Sequence, residues 1–428
     1  MLSRMEHDSI GALNVPAEAY YGVQSMRAAT NFQITHRPLH PVLIDSIVMV
    51  KKAAAITNEK SGKLDQQIAQ AIIKACDKIL DGNLRDQFIV DAIQGGAGTS
   101  ANMNANEVIA NRAIEILGGT KGDYSIVHPN DHVNMSQSTN DVIPTAGKIT
   151  VLKLLPQTIK ELEKLEKAME EKEAEFDDIL KMGRTQLQDA VPMRLGQSFG
   201  AFAHVLKRDI KRLKNVMDEM KVLNIGATAI GTAINVDPYY LANISYELSK
   251  VVGISLKQAE DLIDATQNLD GFVSVSRVLK TCAVDISKIS NDLRLMSSGP
   301  RTGLSEINLP ARQNGSSIMP GKINPVIPEV VSQVAYLIIG HDYTITMAAE
   351  AGQCEEYIEK SVGISTALCP YIGYAKSAEI AKKSLKTGIS VKELVLEEGL
   401  LKEEELKEIL KPEKMTQPMR EKVMKAVS

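Results

Sequence analysis

Aromatic residues are scarce in this sequence: they make up 4% of its 428 residues, and tryptophan is absent. Hydrophobic residues nevertheless make up 44%, so the chain can bury a large core. That core must consist mainly of aliphatic side chains. A chain of this length is expected to form two or three domains.

Two further absences limit where the protein works and what it binds. No apolar run is long enough to span a membrane, and the N-terminal MLSRMEHDSIG lacks the apolar stretch of a secretory signal. The formal net charge is −4, which argues against a general nucleic-acid-binding protein. We therefore expect a soluble, cytoplasmic protein with neither a membrane nor a nucleic acid as its partner.

Cysteines are few, and no two of them form a CxxC pair. The chain has four: Cys76, Cys282, Cys354 and Cys369. This usage is typical of a reducing compartment and predicts no zinc site. His128 and His132 stand four residues apart, but neither an HExxH motif nor a third ligand accompanies them, so zinc binding by this pair is disfavoured.

Apolar residues recur at heptad spacing in four stretches, which predicts long helices. The stretches are Phe272 to Met296, Leu195 to Met220, Leu155 to Leu180, and Val330 to Ala348. Helices with such narrow apolar stripes pack in near-parallel bundles. Val205 and Val278 lie off the main stripes, and such second apolar faces predict packing against other subunits.

The two ends of the chain differ from this middle part. Residues 1–140 open with a lead-in that we expect to be irregular, followed by shorter helices near 41–58 and 64–80. From residue 354 onward, short amphipathic helices alternate with turns at glycines: Gly373, Gly388 and Gly399. The sequence therefore predicts a mainly all-α protein with an N-terminal domain (1–140), a central helical bundle (141–353) and a small C-terminal helical domain (354–428).

The segment GSSIMPGKINP, from Gly315 to Pro325, concentrates polar side chains in a loop bounded by glycine and proline. The polar side chains are Ser316, Ser317, Lys322 and Asn324. They could surround one small substrate with a weak base and several anion-binding donors. A nucleotide-binding P-loop is excluded because Ile323 stands where that motif requires Ser or Thr.

Three other segments share this polar character, with neutral hydrogen-bond donors and few carboxylates: GGAGTSANMN (95–104), HPNDHVN with SQSTND (128–141), and GRTQLQD (183–189). Each lies at an end of a predicted long helix. Ser138 to Asp141 could simply cap the following helix, and Thr185 could simply form a polar turn. Donors rich in Ser, Thr and Asn, together with one Lys, suit a small polyanion such as a dicarboxylate. Because the segments are far apart in sequence, we expect a site assembled across subunits.

In this order, GTSANMN, SQSTND, GRTQLQDA and GSSIMPGKINP resemble the substrate-binding regions of the aspartase/fumarase superfamily, and the resemblance covers nearly the whole chain. Gln186 stands where fumarases generally carry His, and MAAEAGQ resembles the aspartase branch. The resemblance implies a three-domain, mainly helical fold whose central bundle forms the core of a homotetramer. It also implies a lyase that converts L-aspartate to fumarate and ammonia through an aci-carboxylate intermediate.

The resemblance also implies roles for individual residues. Ser316 would be the base, with its pKa lowered by loop N–H groups and by Lys322. The carboxylate next to the abstracted proton would be held by Thr99, Ser138, Thr139 and Ser317. The other carboxylate would be held by Lys322, Asn324 and Thr185. The amino group would face Asn140 and Gln186.

A second anion pocket, known in similar enzymes, matches His128, Asn130 and Asp131. No organic cofactor is implied. Some aspartases respond to a divalent cation, although no metal-ligand cluster is visible in this sequence.

The sequence departs from the family pattern after MAAEAGQ. There a long core helix normally continues, but here Gln353 is followed directly by Cys354. Two alternatives to the aspartase interpretation therefore stay open. One is a fumarate hydratase of the same superfamily, and the other is an inactive or assembly-defective paralogue. Activity and native mass would distinguish them.

Overall fold

The computed structural model describes residues 2–351, 362–387 and 389–411, which are mostly α-helical, as the sequence predicted. Its tertiary contacts group the chain into two compact units. The first unit comprises Met1–Thr150, Lys221–Asn268 and Gly352–Ser428, and the second comprises Val151–Met220 and Leu269–Ala351. The division into three domains at residues 140 and 353 stays a prediction. The junction of Gln353 and Cys354, and the turn at Gly388, lie outside the described residues.

The first unit begins with a β-hairpin, so the expectation of an irregular lead-in was wrong. Strands β1 (Ser3–Asp8) and β2 (Gly11–Pro16) pair antiparallel, with Ser3 opposite Pro16. Asp8 Oδ1 accepts the N–H groups of Ile10 and Gly11 and so closes the turn. Helix α1 (Val23–Asn31) follows.

The longer helices of the first unit are α2 (Pro41–Lys60), α3 (Gln66–Leu80), α4 (Thr99–Ile116) and α7 (Pro238–Val252). The first two confirm the helices predicted near 41–58 and 64–80. Helix α3 begins after Asp65, whose side chain accepts two N–H groups of the first turn. The core between these helices is largely aliphatic, with Ile47, Ile72 and Ile109 fully buried.

Shorter elements complete the first unit. They are a 3₁₀ turn (Arg85–Gln87), a π-helical turn (Pro129–Val133), the two-residue parallel strands β5 (Val222–Leu223) and β6 (Lys257–Gln258), and helix α8 (Leu262–Gln267). Near the C-terminus lie a 3₁₀ segment (Val362–Leu368) and helices α11 (Cys369–Ile372), α12 (Tyr374–Thr387), α13 (Val391–Glu397) and α14 (Glu403–Ile409). These helices enclose a small apolar core that includes Leu368, Ile380 and Leu394. The predicted turns at Gly373 and Gly399 are present, with φ angles of 76° and 66°.

The second unit is built from long helices joined by a hairpin and a loop. Helix α5 (Thr139–Glu175) begins in the first unit and continues into the second. Strands β3 (Leu180–Thr185) and β4 (Gln188–Arg194) follow, and then come α6 (Leu195–Met220), α9 (Asp270–Met296) and α10 (Val326–Glu350). Helix α9 packs against both α6 and α10.

The predicted apolar stripes correspond to α5, α6, α9 and α10, with one error. The third stripe was expected to continue to Leu180, but α5 ends at Glu175 and Leu180 begins β3. On α10 the stripe is exposed in a single chain, with Val334 at 51% and Leu337 at 57% of full exposure. Among the described residues, no helix is both long and apolar enough to cross a membrane.

Candidate active site

Thr99 lies at the start of α4, directly after a glycine-rich turn. Gly96, Ala97 and Gly98 have positive φ angles of 89°, 51° and 89°. A Cβ atom on Gly98 would lie 2.9 Å from Cγ1 of Ile143, so the turn requires glycine at this position. The Thr99 hydroxyl donates to the carbonyl oxygen of Gly96 at 2.7 Å and remains exposed. The turn thus presents a threonine at a helix N-terminus, where the helix dipole favours an anion.

Ser138, Thr139 and Asn140 lie at the N-terminus of α5, where the sequence predicted a helix start. Ser138 Oγ accepts the N–H of Asn140 at 3.3 Å, and Asp141 Oδ1 accepts the N–H of Ser138 at 2.8 Å. These bonds cap the helix, as one interpretation of the sequence proposed. Asn140 Nδ2 donates to the carbonyl oxygen of Ala229 at 2.7 Å. This bond orients the carboxamide and leaves Oδ1 as its acceptor for a ligand.

Asp141 is completely buried beneath this helix start and lies near a second buried charge, Lys51. Its Oδ2 accepts the N–H groups of Gly226 and Thr228 at 3.0 and 3.2 Å. Burial raises the pKa of Asp141 to about 6, although these N–H donors and the Lys51 charge act to lower it. Burial likewise lowers the pKa of Lys51 to about 7, although the charge of Asp141 acts to raise it. Each charge therefore partly offsets the desolvation of the other.

Asn134 connects this buried pair to the two helix starts. Its Oδ1 accepts three side-chain donors: Lys51 Nζ at 2.7 Å, Asn102 Nδ2 at 3.1 Å and Asn106 Nδ2 at 3.2 Å. Asn102 Nδ2 also lies 3.3 Å from Thr139 Oγ1. Because Asn102 is on the first turn of α4, the network joins the helix that begins at Thr99 to the helix that begins at Thr139. We refer to Lys51, Asn102, Asn106, Asn134 and Asp141 as the buried polar network.

Sequence reasoning assigned no role to this network. The motifs contain Asn102, Asn134 and Asp141, but the resemblance assigns substrate contacts only to neighbouring residues such as Thr99 and Thr139. Lys51 belongs to no motif, since it lies in the run VMVKKAAAIT of α2. The available signal was a charged residue on a helix whose neighbouring positions are almost all apolar or small.

The proposed second anion pocket is a π-helical turn in the first unit. His128 Nδ1 accepts the N–H groups of Asn130 and Asp131 at 3.2 and 3.0 Å, and His132 Nδ1 accepts the N–H of His128 at 2.9 Å. Burial lowers the pKa of His128, and the charge of Asp131, 3.1 Å away, acts to raise it. Both rings are thus held through Nδ1 by main-chain donors. In the part of the chain that the structure describes, no group of three or more His, Cys, Asp or Glu side chains could hold a metal ion.

In the second unit, Thr185 and Gln186 lie at the tip of the β3–β4 hairpin. Thr185 pairs with Gln188 across the strands, and the two turn residues, Gln186 and Leu187, have φ angles of 55° and 64°. Two-residue hairpin turns with two positive φ angles normally carry Asn or Gly, so this tip is strained. The sequence predicted a polar turn at the end of a helix. The turn is present, but its placement was wrong, because it joins two strands. Thr185 and Gln186 are both exposed.

The segment Gly315 to Pro325 forms a loop that is closed on itself. The N–H of Gly315 donates to the carbonyl oxygen of Lys322 at 2.8 Å, and Asn324 Nδ2 donates to the carbonyl oxygen of Gly315 at 2.9 Å. A Cβ atom on Gly315 would lie 2.7 Å from the backbone nitrogen of Asn324, so glycine is required at this close approach. Asn324 therefore holds the loop together, in addition to any contact with a ligand.

Ser316 occupies a distinct position within this loop. Its Oγ accepts the N–H groups of Ile318 and Met319 at 3.2 and 3.0 Å. Two main-chain donors on one hydroxyl oxygen stabilise negative charge on that oxygen. Ser317 and Lys322 are exposed on the same loop. The described residues thus group Ser316, Ser317, Lys322 and Asn324 on one loop of the second unit.

Two protein-family models match this chain. A family model described as Lyase matches residues 11–340, and one described as Fumarase C C-terminus matches residues 364–417. An aspartate ammonia-lyase from Bacillus sp. is 50% identical over 457 residues, covering 97% of this chain and 98% of the relative. Since that aligned length exceeds the 428 residues of the chain, some positions of the relative have no counterpart here. This agrees with the expected missing segment, whose position stays a prediction.

Solved structures of fumarate lyases and fumarases are also similar to this chain. The structure of a fumarate lyase:delta crystallin from Brucella melitensis bound to cobalt has a TM-score of 0.81 and 47% identity, covering 97% of this chain and all (100%) of that chain. A class II fumarase from Schistosoma mansoni has a TM-score of 0.78 and 32% identity, covering 97% of this chain and 99% of that chain. The fold is therefore shared with these proteins.

Proposed function

This chain is a carbon–nitrogen lyase of the aspartate ammonia-lyase family, within the aspartase/fumarase superfamily, and we propose that it converts L-aspartate to fumarate and ammonia with Ser316 as the base. The observation that carries the assignment of the base is the pair of N–H groups, from Ile318 and Met319, that donate to Ser316 Oγ. The preference for aspartate over malate rests on Gln186 and on the identity of 50% to an aspartate ammonia-lyase, compared with 32% to a fumarase.

The first step is removal of a proton from Cβ of aspartate. Ser316 Oγ takes this proton, and the electron pair moves into the adjacent carboxylate to give an aci-carboxylate with two negative charges. The main-chain N–H donors and the ammonium of Lys322 favour the deprotonated hydroxyl before the step. The difficulty of the reaction then lies in stabilising the dianion.

Neutral donors supply that stabilisation. The carboxylate that receives the charge is bound by four hydroxyls: Thr99, Ser138, Thr139 and Ser317. Thr99 and Ser138 belong to helix starts, whose N–H groups and dipoles favour an anion. Hydrogen bonds to an oxygen strengthen as its charge grows, so this arrangement lowers the barrier more than it tightens substrate binding.

The remaining groups hold the rest of the substrate. Lys322, Asn324 and Thr185 bind the other carboxylate. Asn140 and Gln186 face the amino group, and Asn140 Oδ1 accepts a hydrogen bond from it because Asn140 Nδ2 is engaged by Ala229. The C–N bond then breaks, its electrons return to nitrogen, and the pair held in the aci-carboxylate forms the double bond of fumarate.

We assign a further anion-binding role to His128, Asn130 and Asp131, which meet in the π-helical turn. The reaction proposed here needs no organic cofactor. A response to a divalent cation is tested by assaying the purified enzyme with Mg²⁺ and with EDTA. The cysteine usage, with no CxxC pair in the sequence, is typical of a reducing compartment and supports a cytoplasmic location.

The assembly we propose is a homotetramer whose active sites take residues from more than one subunit. Its support is the apolar stripe on α10, where Val330, Val334 and Leu337 are exposed in a single chain. Ser316→Ala lacks the base and Thr185→Val binds substrate weakly. At a low concentration of L-aspartate, the two chains denatured and refolded together should show more activity than the two refolded separately. The absence of rescue at every mixing ratio would place the whole site within one subunit.

Absorbance of fumarate provides the test of the reaction. The enzyme is mixed with L-aspartate, and in parallel with L-malate and argininosuccinate, and the rise in absorbance is followed. We expect the absorbance to rise with L-aspartate and to rise much more slowly, or not at all, with L-malate and argininosuccinate. A faster reaction with L-malate would make the chain a fumarate hydratase, and inactivity towards all three with an abnormal native mass would favour an assembly-defective paralogue.

A further inference from the structure

Glu306 stands outside every motif that the sequence singled out for substrate binding, yet it contacts the strand that carries Thr185. Its Oε1 lies 2.7 Å from Arg184 Nη1, and its Oε2 lies 3.2 Å from Lys181 Nζ. Both cations are on β3, and Arg184 directly precedes Thr185. The three side chains are 12–20% exposed, so the ion pairs are partly shielded from water.

The hairpin has few other side-chain anchors near its tip. At its base, Arg194 Nε lies 2.8 Å from Asp177 Oδ1. Further along, apolar side chains project into solvent, with Leu187 at 71% and Val191 at 68% of full exposure. The strained tip therefore depends on contacts from β3 to keep its position.

Glu306 is itself held firmly. Its N–H donates to the carbonyl oxygen of Met296 at 2.8 Å, at the C-terminal end of α9. Lys181 Nζ also lies 3.5 Å from Met296 Sδ. The carboxylate is thus fixed to the end of a 27-residue helix, and it ties β3 to that helix.

We propose that Glu306 is a positioning residue that sets the place of Thr185 by holding β3 through Arg184 and Lys181. This inference rests on the proposed function, in which Thr185 binds one carboxylate of the substrate. Loss of the tether lets the hairpin tip move, and a displacement of about 1 Å in a binding group can cost up to about a hundredfold in activity. The effect falls mainly on KM, because Thr185 binds the substrate equally before and during the reaction.

The test compares Glu306→Gln with Asp189→Asn. Both remove a carboxylate that faces Arg184, but Asp189 is 80% exposed and lies 3.9 Å from Nε, so it provides a matched control. We expect Glu306→Gln to raise KM for L-aspartate about tenfold while kcat changes less than about threefold and the melting temperature is retained. Asp189→Asn should leave KM unchanged. Equal KM values for both variants and the unmutated enzyme would overturn the proposal.

A double-mutant cycle with Thr185→Val separates this inference from the proposed function. If Glu306 acts through Thr185, Glu306→Gln should raise KM no further in a Thr185→Val background. Independent, additive effects would refute a positioning role. If Thr185→Val alone leaves KM unchanged, the proposed substrate contact is wrong and the positioning role is refuted with it. If Thr185→Val raises KM and Glu306→Gln does not, the positioning role alone is wrong.

Lys181→Met provides a second route if Glu306→Gln is recovered only as aggregate. It removes the longer of the two ion pairs and leaves Arg184 bound to Glu306. The expected rise in KM is smaller, about threefold, and it should also vanish in the Thr185→Val background. An unchanged KM for soluble Lys181→Met, or a rise that persists in the Thr185→Val background, would count against the tether.

Discussion

The loop that carries Ser316 and the buried polar network beneath Thr139 are held in different ways. The loop is exposed and is closed mainly by bonds among its own backbone and Asn324. The network is enclosed by helices, and its Lys51 and Asp141 are fully buried. Changes in the loop should therefore alter the chemistry and leave stability intact, whereas changes in the network should alter both.

The largest effect is expected from Ser316→Ala. Removing the base should lower kcat by roughly 10²–10⁴. The melting temperature should stay the same, because the hydroxyl makes its hydrogen bonds within its own loop, with Ile318 and Met319. Steady-state kinetics and a thermal melt measure both quantities, with Ser317→Ala as the comparison. Near-normal turnover of Ser316→Ala would move the role of base to Ser317.

Lys322 gives the next largest effect. Lys322→Met should lower kcat/KM roughly 10–100-fold, since a charge-assisted contact with a dianionic substrate is lost. Lys322→Arg should fail as well, because a planar guanidinium cannot replace a compact ammonium in a tight loop. An unaltered KM in both variants would exclude Lys322 from the site.

Lys51→Met should lower both stability and activity, whereas the loop variants should lower activity alone. It removes a donor to Asn134 and leaves the buried Asp141 without its partner cation, at a cost of about 2–3 kcal/mol in stability. Loss of order around Thr139 should also lower kcat/KM. The control is Lys52→Met, whose side chain pairs with the half-exposed Asp77. Equal stability of the two variants would show that the network contributes little.

The smallest effect on catalysis is expected from Glu107→Gln, which tests a buried carboxyl away from the site. Glu107 accepts the N–H groups of Gly22, Gln24 and Ser25, and burial raises its pKa to about 7. A raised pKa means that the folded protein binds more protons than the unfolded chain between the usual value of 4.5 and about 7. Stability from this group is therefore present at low pH and is lost as pH rises through that window.

Between about pH 5 and about pH 8, which bracket the raised pKa of Glu107, the melting temperature of the unmutated enzyme should fall by a few degrees relative to that of Glu107→Gln. Thermal melts at intervals of about half a pH unit measure this difference. A difference that is constant with pH would show that Glu107 keeps its ordinary pKa in the folded protein.

The long helices were predictable because heptad spacing records which face is buried. Helix α6 begins at Leu195 and ends at Met220, the limits of its stripe. The same signal failed after Glu175, because Phe176 is still apolar and its ring packs 5.3 Å from that of Phe199. Apolar periodicity shows burial and does not show where the chain leaves the helix.

The polar segments were predictable as motifs, but their supports were not. The β3–β4 hairpin was missed because its turn residues, Gln186 and Leu187, lack the Asn-Gly signal of such turns. Lys51 and Glu306 were missed for another reason. The apolar neighbours of Lys51 indicate burial but do not identify its partners, and Glu306 resembles an ordinary surface charge in the sequence. Only tertiary packing shows which groups the two residues meet.

The central claim is that Ser316 removes the proton and contributes little to substrate binding. Titration calorimetry of succinate, a dicarboxylate that cannot react, into the unmutated enzyme and into Ser316→Ala tests it most directly. We predict dissociation constants that agree within about threefold, alongside the loss of fumarate formation from L-aspartate. Loss of succinate binding in Ser316→Ala, or fumarate formation at a near-normal rate, would contradict the account.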